Sequence, residues 1–209
     1  LEDSADLGQE FFRWEVAVAA AGAVLEVDPF DQPDVELAKE LARSAMSGRS
    51  GGGEGEAARV PELVRASSDS LPEAVRRWTS AAAPGGYVAL QAYLEPSEKH
   101  DVALARVREG LRDRLGLPTT LGYGPSFLHS TGQLHKGGPS GGLYLQIVDD
   151  PTEKVAIPGT EHTFAQVIRA QATGDASALV SKGRWLLRVD VGEDAIAGLA
   201  ELEAAICGP

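Results

Sequence analysis

The stretch Tyr87-Val-Ala-Leu-Gln-Ala-Tyr-Leu94 is almost continuously apolar and rich in residues that favour extended backbone. A strand with one wet face alternates apolar and polar residues, whereas a strand covered on both faces has no need to. The run therefore predicts a strand buried on both sides, the kind found in parallel sheets sandwiched between helices. Outward from it the chain alternates in the same style. A helix is expected at Leu71 to Ala83, and an amphipathic one at Asp101 to Leu115, stopped by Gly116. Extended segments are expected at Thr119 to Leu128, Leu143 to Val148 and Trp185 to Val191. Helices are expected at Thr163 to Gln171, Asp175 to Lys182 and Glu193 to Ile206. The expected fold is α/β: a layered α/β sandwich with a mainly parallel sheet flanked by helices, preceded by a helical segment.

That preceding segment spans residues 1–46. Phe11, Trp14, Val18, Ala21 and Leu25 recur at helical spacing with few charges after Glu15, which predicts a mostly buried helix. A turn-rich stretch, Val27 to Pro33, leads into a second helix that reaches about Met46, with Pro33 suited to its first position. Ser47 to Ala58 is dominated by glycine and small polar residues. A run of this kind gains little by burial, so 47–58 is expected to be a flexible linker ahead of an α/β domain at 59–209. Trp14, Trp78 and Trp185 are expected to be core packing.

The formal charge of -12 over 209 residues argues against nucleic acid or an anionic membrane as partner, and requires any anionic substrate to find a local basic pocket. One cysteine, Cys207, permits no internal disulfide. The longest apolar run, Val16 to Leu25, is too short to span a bilayer, and the acidic start is unlike a signal peptide. Together these point to a cytoplasmic protein. The opening Leu1, in place of Met, is expected of a processed chain or a piece of something longer.

Two segments concentrate chemistry. Asp28-Pro29-Phe30-Asp31-Gln32 feeds a helix carrying Val35, Glu36 and Lys39. A loop entering a helix N-terminus gathers free backbone N–H groups that suit an anionic or polyhydroxyl ligand, and Gln32 offers both donor and acceptor. Spacing alone favours a capped helix with a solvated lysine, since lone lysines on helices are common. The second segment, Gly122 to Pro139, crowds His129, Ser130, Thr131, Gln133, His135 and Lys136 between glycines. Such a loop can bring backbone amides close to a ligand, and an imidazole titrates near neutral pH. A polar turn between two strands, with a histidine bonded for structure, is the alternative. The spacing of His129 and His135 fits no common zinc pattern, so no metal is expected.

Both segments resemble phosphoglucose isomerases, most closely the isomerase part of bifunctional transaldolase/phosphoglucose isomerases. In that family a helix leads into an Asn-Pro-Phe-Asp-Gln turn and a Val-Glu-x-Gly-Lys helix, matched here from Asp28 to Lys39. The fused branch carries a His-Ser-Thr-Gly-Gln-Leu-His-Lys-Gly-Gly-Pro run, matched without a break from His129 to Pro139. The chain departs from the pattern at Asp28, at Pro33-Asp34, at Ala38, and at Ser126, where an arginine is expected. The resemblance implies that Gln32 contacts the bound sugar, that Lys39 assists ring opening, and that a histidine does likewise. His135 and His129 both remain candidates for that role, with Ser130, Thr131, Gln133 and Lys136 binding substrate around them.

What the resemblance implies is interconversion of glucose 6-phosphate and fructose 6-phosphate without a metal or organic cofactor. The implied phosphate loop and glutamate base belong to a region ahead of the one matched, so the site is expected to be completed by an upstream isomerase domain or a second copy of the chain. A module that binds a sugar phosphate without turnover, or one that dimerises, is the alternative reading.

Overall fold

The computed structural model describes residues 3–31, 34, 40, 41, 43, 60–151 and 155–208. The chain divides into two compact units, Leu1–Pro33 and Asp34–Pro209. Gln32, Lys39 and the glycine-rich stretch 47–58 lie outside the described residues, and of the second expected helix Asp34, Glu40, Leu41 and Arg43 are helical.

The first unit is a helix and a turn. Helix α1, Ala5–Leu25, ends on Glu26 in the left-handed region at φ 56°, and Val27 N–H returns to the Gly22 carbonyl at 3.0 Å. Asp28 Oδ1 then accepts from Phe30 N–H at 2.8 Å, an Asx turn. Gly22 is the one buried residue of α1, since a Cβ there would meet Pro29 Cδ at 2.9 Å. The expectation of a mostly buried helix is corrected. Phe11, Trp14 and Leu25 are 62%, 67% and 70% exposed. Apolar residues at helical spacing record that a helix has a face to bury, but this unit holds no second layer on which to bury it.

The second unit is a five-stranded, all-parallel sheet, β1 Val64–Arg65, β2 Tyr87–Tyr93, β3 Thr119–Tyr123, β4 Gly142–Val148 and β5 Trp185–Asp190, in the order β1-β5-β4-β2-β3. The apolar run that begins at Tyr87 is β2, the strand from which the connections diverge: β3 lies on one side of it and β4 on the other. Register places Leu121, Leu90, Leu145 and Leu187 in one row across four strands. With Val88, Ala92, Leu143, Ile147 and Val189 they form the main core. Helices α2 Leu71–Thr79, α3 Glu98–Leu115 and α6 Ala195–Cys207 contribute Val75 and Trp78, Leu104 and Leu111, and Leu199 and Leu202 to that core.

Next along each strand the side chains turn to the other face, and there the row reads Gln91, Gln146, Arg188. All three are buried. This face is covered by α5, Phe164–Ser181, and by the short elements of the second motif. Helix α5 runs unbroken where two helices were expected. Gly174 costs a helix about 1 kcal/mol, but Ala172, Asp175, Ala176 and Leu179 around it are fully buried, and their packing carries the helix through. A Thr163–Gln166 capping box starts it. Strand β1, two residues long, was too short to leave a pattern. Trp78 is buried as expected, whereas Trp185 is 54% exposed and sits at the start of its strand. No helix among the described residues is long and apolar enough to cross a membrane.

Leu145 is fully buried in the central row, so Leu145→Ala should destabilise the chain by about 3 kcal/mol in urea unfolding. Gly198→Ala should also destabilise it, because the new methyl would be driven into the Val191 carbonyl oxygen. Unchanged midpoints in both would refute this core.

Candidate functional site

The second motif folds against the polar face of the sheet. After β3 a 3-10 turn, Ser126–His129, precedes helix α4, Gly132–Gly137. The Ser130 and Thr131 hydroxyls both donate to the Phe127 carbonyl, at 3.2 and 3.3 Å, so they brace the turn between the two elements. His129 is exposed. The polar turn weighed as an alternative is thus a short helix with two faces. His135 and Lys136 are buried, and Leu134 and Gly137 are exposed. Its C-terminal carbonyls are gathered by Arg184, which donates to the carbonyls of Lys136 at 2.7 Å, Gly138 at 2.5 Å and Pro139 at 2.9 Å. A cation at a helix C-terminus satisfies orphan carbonyls and complements the dipole.

His135 is 5% exposed and enclosed by rings: Tyr144 at 5.3 Å, Phe127 at 5.8 Å and Tyr87 at 6.5 Å between centroids. Gln91 Nε2 lies within hydrogen-bond distance of its Nδ1, at 3.2 Å. Tyr144 donates to the His135 carbonyl at 2.8 Å, and Tyr87 lies 2.7 Å from the Tyr144 hydroxyl, so the backbone is held as firmly as the ring. Burial, aided by the neighbouring Lys136 ammonium, lowers the imidazole pKa from 6.5 to about 4. Burial and the Tyr87 contact push the Tyr144 phenol up. In this arrangement His135 is a neutral anchor and does not exchange protons with a solvent-borne ligand near pH 7. The accessible imidazole of the motif is His129.

Lys136 turns inward to Asp175 on α5, with Nζ 2.5 Å from Oδ1 and both side chains wholly buried. It also donates to the Gly132 carbonyl at 3.3 Å. Burial pushes the Asp175 carboxyl up while the Lys136 ammonium pulls it down. The Tyr93 phenol, next to this carboxylate, is pushed well up by burial first and by Asp175 second. The contact is a wholly buried charge pair, with the Tyr93 phenol beside the same carboxylate. Lys136 therefore does not present its charge to a ligand in this conformation. Beside it Arg188 Nε donates to Gln146 Oε1 at 2.8 Å, and Gln146 Nε2 to the Ala172 carbonyl at 2.9 Å, tying the sheet's polar row to α5.

Gln133 faces the other way, toward Asp34. Its Oε1 accepts from Asp34 N–H at 3.1 Å and its Nε2 donates to Asp34 Oδ2 at 2.9 Å. Lys182, at the end of α5, pairs with Asp34 Oδ1 at 2.6 Å. Two residues 99 positions apart thus share a reciprocal amide contact. Of the expected site residues, Gln133, His135 and Lys136 are drawn into the fold, and His129 stands at the surface. Gln91, Tyr93, Tyr144, Asp175 and Arg184 were not anticipated. A glutamine inside each of two apolar strands, at positions 91 and 146, was the available signal. Among the described residues no group of three or more His, Cys, Asp or Glu is placed to hold a metal ion.

No protein-family model and no curated protein sequence matches the chain. Among solved structures it is similar to a hypothetical protein from the bacterium Thermus thermophilus, with a TM-score of 0.56 and 18% identity. The match covers 85% of this chain and 45% of that one, so the chain spans less than half the length of its structural relative. At that identity the likeness is one of fold.

Between pH 6.5 and about 4 the unfolded chain binds a proton at this histidine that the folded chain refuses. The stability His135 contributes is therefore present above about pH 6.5 and is lost as pH falls toward about 4, by about 3 kcal/mol at most. His135→Gln should flatten that limb of a pH–stability curve; a curve of unchanged slope would show that the imidazole is not held neutral. Lys136→Met should cost about 3–5 kcal/mol by stranding the Asp175 charge, and Lys136→Met with Asp175→Leu should recover most of it.

Proposed function

We propose that the chain is part of a glucose-6-phosphate isomerase, a cytoplasmic enzyme interconverting glucose 6-phosphate and fructose 6-phosphate. The observation that carries this reading is the reciprocal Asp34–Gln133 contact, in which one residue of the stretch resembling the first isomerase motif meets one residue of the second. A second feature supports it. A chain with a formal charge of -12 needs local positive charge to receive a phosphosugar, and the Arg184 guanidinium, bonded to neutral backbone carbonyls, lies beside the second motif.

On this reading the residues divide by accessibility. His129 is the imidazole that assists ring opening, since a proton donor must reach the sugar oxygen. His135 and Lys136 set the motif on the sheet, and Ser130 and Thr131 shape the turn that presents His129. Gln32 and Lys39 supply the amide and ammonium from the first motif. The base that moves a proton between adjacent carbons, and the phosphate loop, come from an upstream isomerase domain or a second copy. A phosphosugar-binding module without turnover has the same recognition chemistry and lacks only that base.

Calorimetry of the 209-residue chain with fructose 6-phosphate, followed by a coupled isomerase assay after adding an upstream isomerase domain, tests the proposal. Binding and reconstituted turnover are expected. His129→Ala should lower turnover by about a hundredfold with little effect on stability, and His135→Ala should chiefly destabilise the fold. Absence of both heat and turnover at millimolar ligand would refute the proposal, and heat without turnover would favour the binding module.

A further inference from the structure

The turn that carries His129 is braced from within and attached from both sides. Within it, the Phe127 carbonyl accepts from the Ser130 and Thr131 backbone N–H groups at 3.1 and 2.8 Å, as well as from both hydroxyls. Before it, the Tyr93 ring at the end of β2 meets the Phe127 ring edge-on at 5.7 Å between centroids. The same ring lies so close to Gly124 that a Cβ there would come within 2.5 Å of Tyr93 Cε1. After it, Lys136 is drawn inward to Asp175 on α5, with Nζ 2.5 Å from Oδ1. The two attachments meet at one group, because the Tyr93 phenol stands beside that same Asp175 carboxylate. All three side chains are buried. An ionised carboxylate accepts at two oxygens, so it can serve an ammonium and a phenol at once, which an apolar side chain of similar size cannot. Ala172, one turn earlier on α5, packs in the small cluster formed by Tyr93 and Phe127, so the carboxylate is delivered by a helix already docked there.

Gly124 and Lys136 bracket His129, five positions before it and seven after. We infer that Asp175 is a positioning residue: one buried carboxylate, through Tyr93 on one side and Lys136 on the other, fixes the turn that aims His129 at its substrate. This rests on the reading above, in which His129 assists ring opening. A buried pair can also serve stability alone, and the two roles differ in what compensation restores. Replacing a buried ion pair by apolar residues of similar volume commonly restores stability. It does not restore a shared acceptor, so the turn would regain its fold and lose its aim.

NMR of the four histidine rings in the 209-residue chain, with isomerase kinetics after adding the upstream isomerase domain, tests the role. Lys136→Met/Asp175→Leu should keep most of the wild-type stability yet give broadened or doubled His129 ring signals. Its kcat should fall about tenfold, with KM nearly unchanged. Tyr93→Phe, which removes one oxygen and keeps the ring, should lower kcat about fivefold. On the Lys136→Met/Asp175→Leu background it should add nothing further, because the acceptor is already gone. Where that double variant does not fold, Tyr93→Phe decides. Leu145→Ala, destabilised without touching this carboxylate, should leave the His129 signals and kcat unchanged. A kcat that returns with stability in the double variant, or stays unaltered in Tyr93→Phe, overturns the positioning role. So do broadened His129 signals with full turnover. Absence of turnover in the wild type overturns the isomerase reading instead, and the His129 signals still decide whether Asp175 holds the turn.

Discussion

The constraint on which this architecture turns is a buried polar row in the middle of an apolar sheet. Gln91, Gln146 and Arg188 lie side by side on β2, β4 and β5, all facing one way and all shielded from water. Polar groups removed from water must find partners inside the protein. Those partners arrive from outside the sheet: the Ala172 carbonyl on α5, the His135 ring on α4 and the Pro61 carbonyl just before β1. The elements covering this face are therefore chosen by hydrogen-bond complementarity as well as by apolar fit. On the opposite face a leucine row packs against three helices, with the Trp78 indole also donating to the Trp185 carbonyl at 3.4 Å.

From that constraint follows the character of the second motif. A six-residue helix is too short to be stable through its own hydrogen bonds. It persists because Gln91, Asp175, Tyr144 and Arg184 seize its side chains and carbonyls from below. Anchoring consumes His135 and Lys136, the two residues whose chemistry looks most useful on paper. What remains at the surface is the part of the motif that the anchored part holds still. A buried imidazole that stays neutral well below its usual range makes a dependable strut because it does not change charge near neutral pH.

Some of the surprises have one source. Helix α1 carries apolar residues at helical spacing, and that pattern was read as burial; pattern records which residues avoid water, and the layer that would cover them has to exist elsewhere. The unbroken α5 is the converse case, where local preference at Gly174 argued for a break and tertiary packing prevailed. In both, the deciding energy is between elements and leaves no mark within one.

The α/β class, the strands from Tyr87, Leu143 and Trp185 and the helices between them were legible from residue order alone, because hydrophobic period and turn residues act over a few positions. So was the concentration of chemistry at 129–136. Residue order did not tell which of the two histidines is buried, nor mark Lys136 as a strut. Those assignments depend on which face of the sheet a strand turns toward a helix closing over it, and on groups such as Lys136 and Asp175, distant along the chain, meeting where water is excluded. Burial and pairing are properties of the assembled layers, so only the tertiary structure decided them.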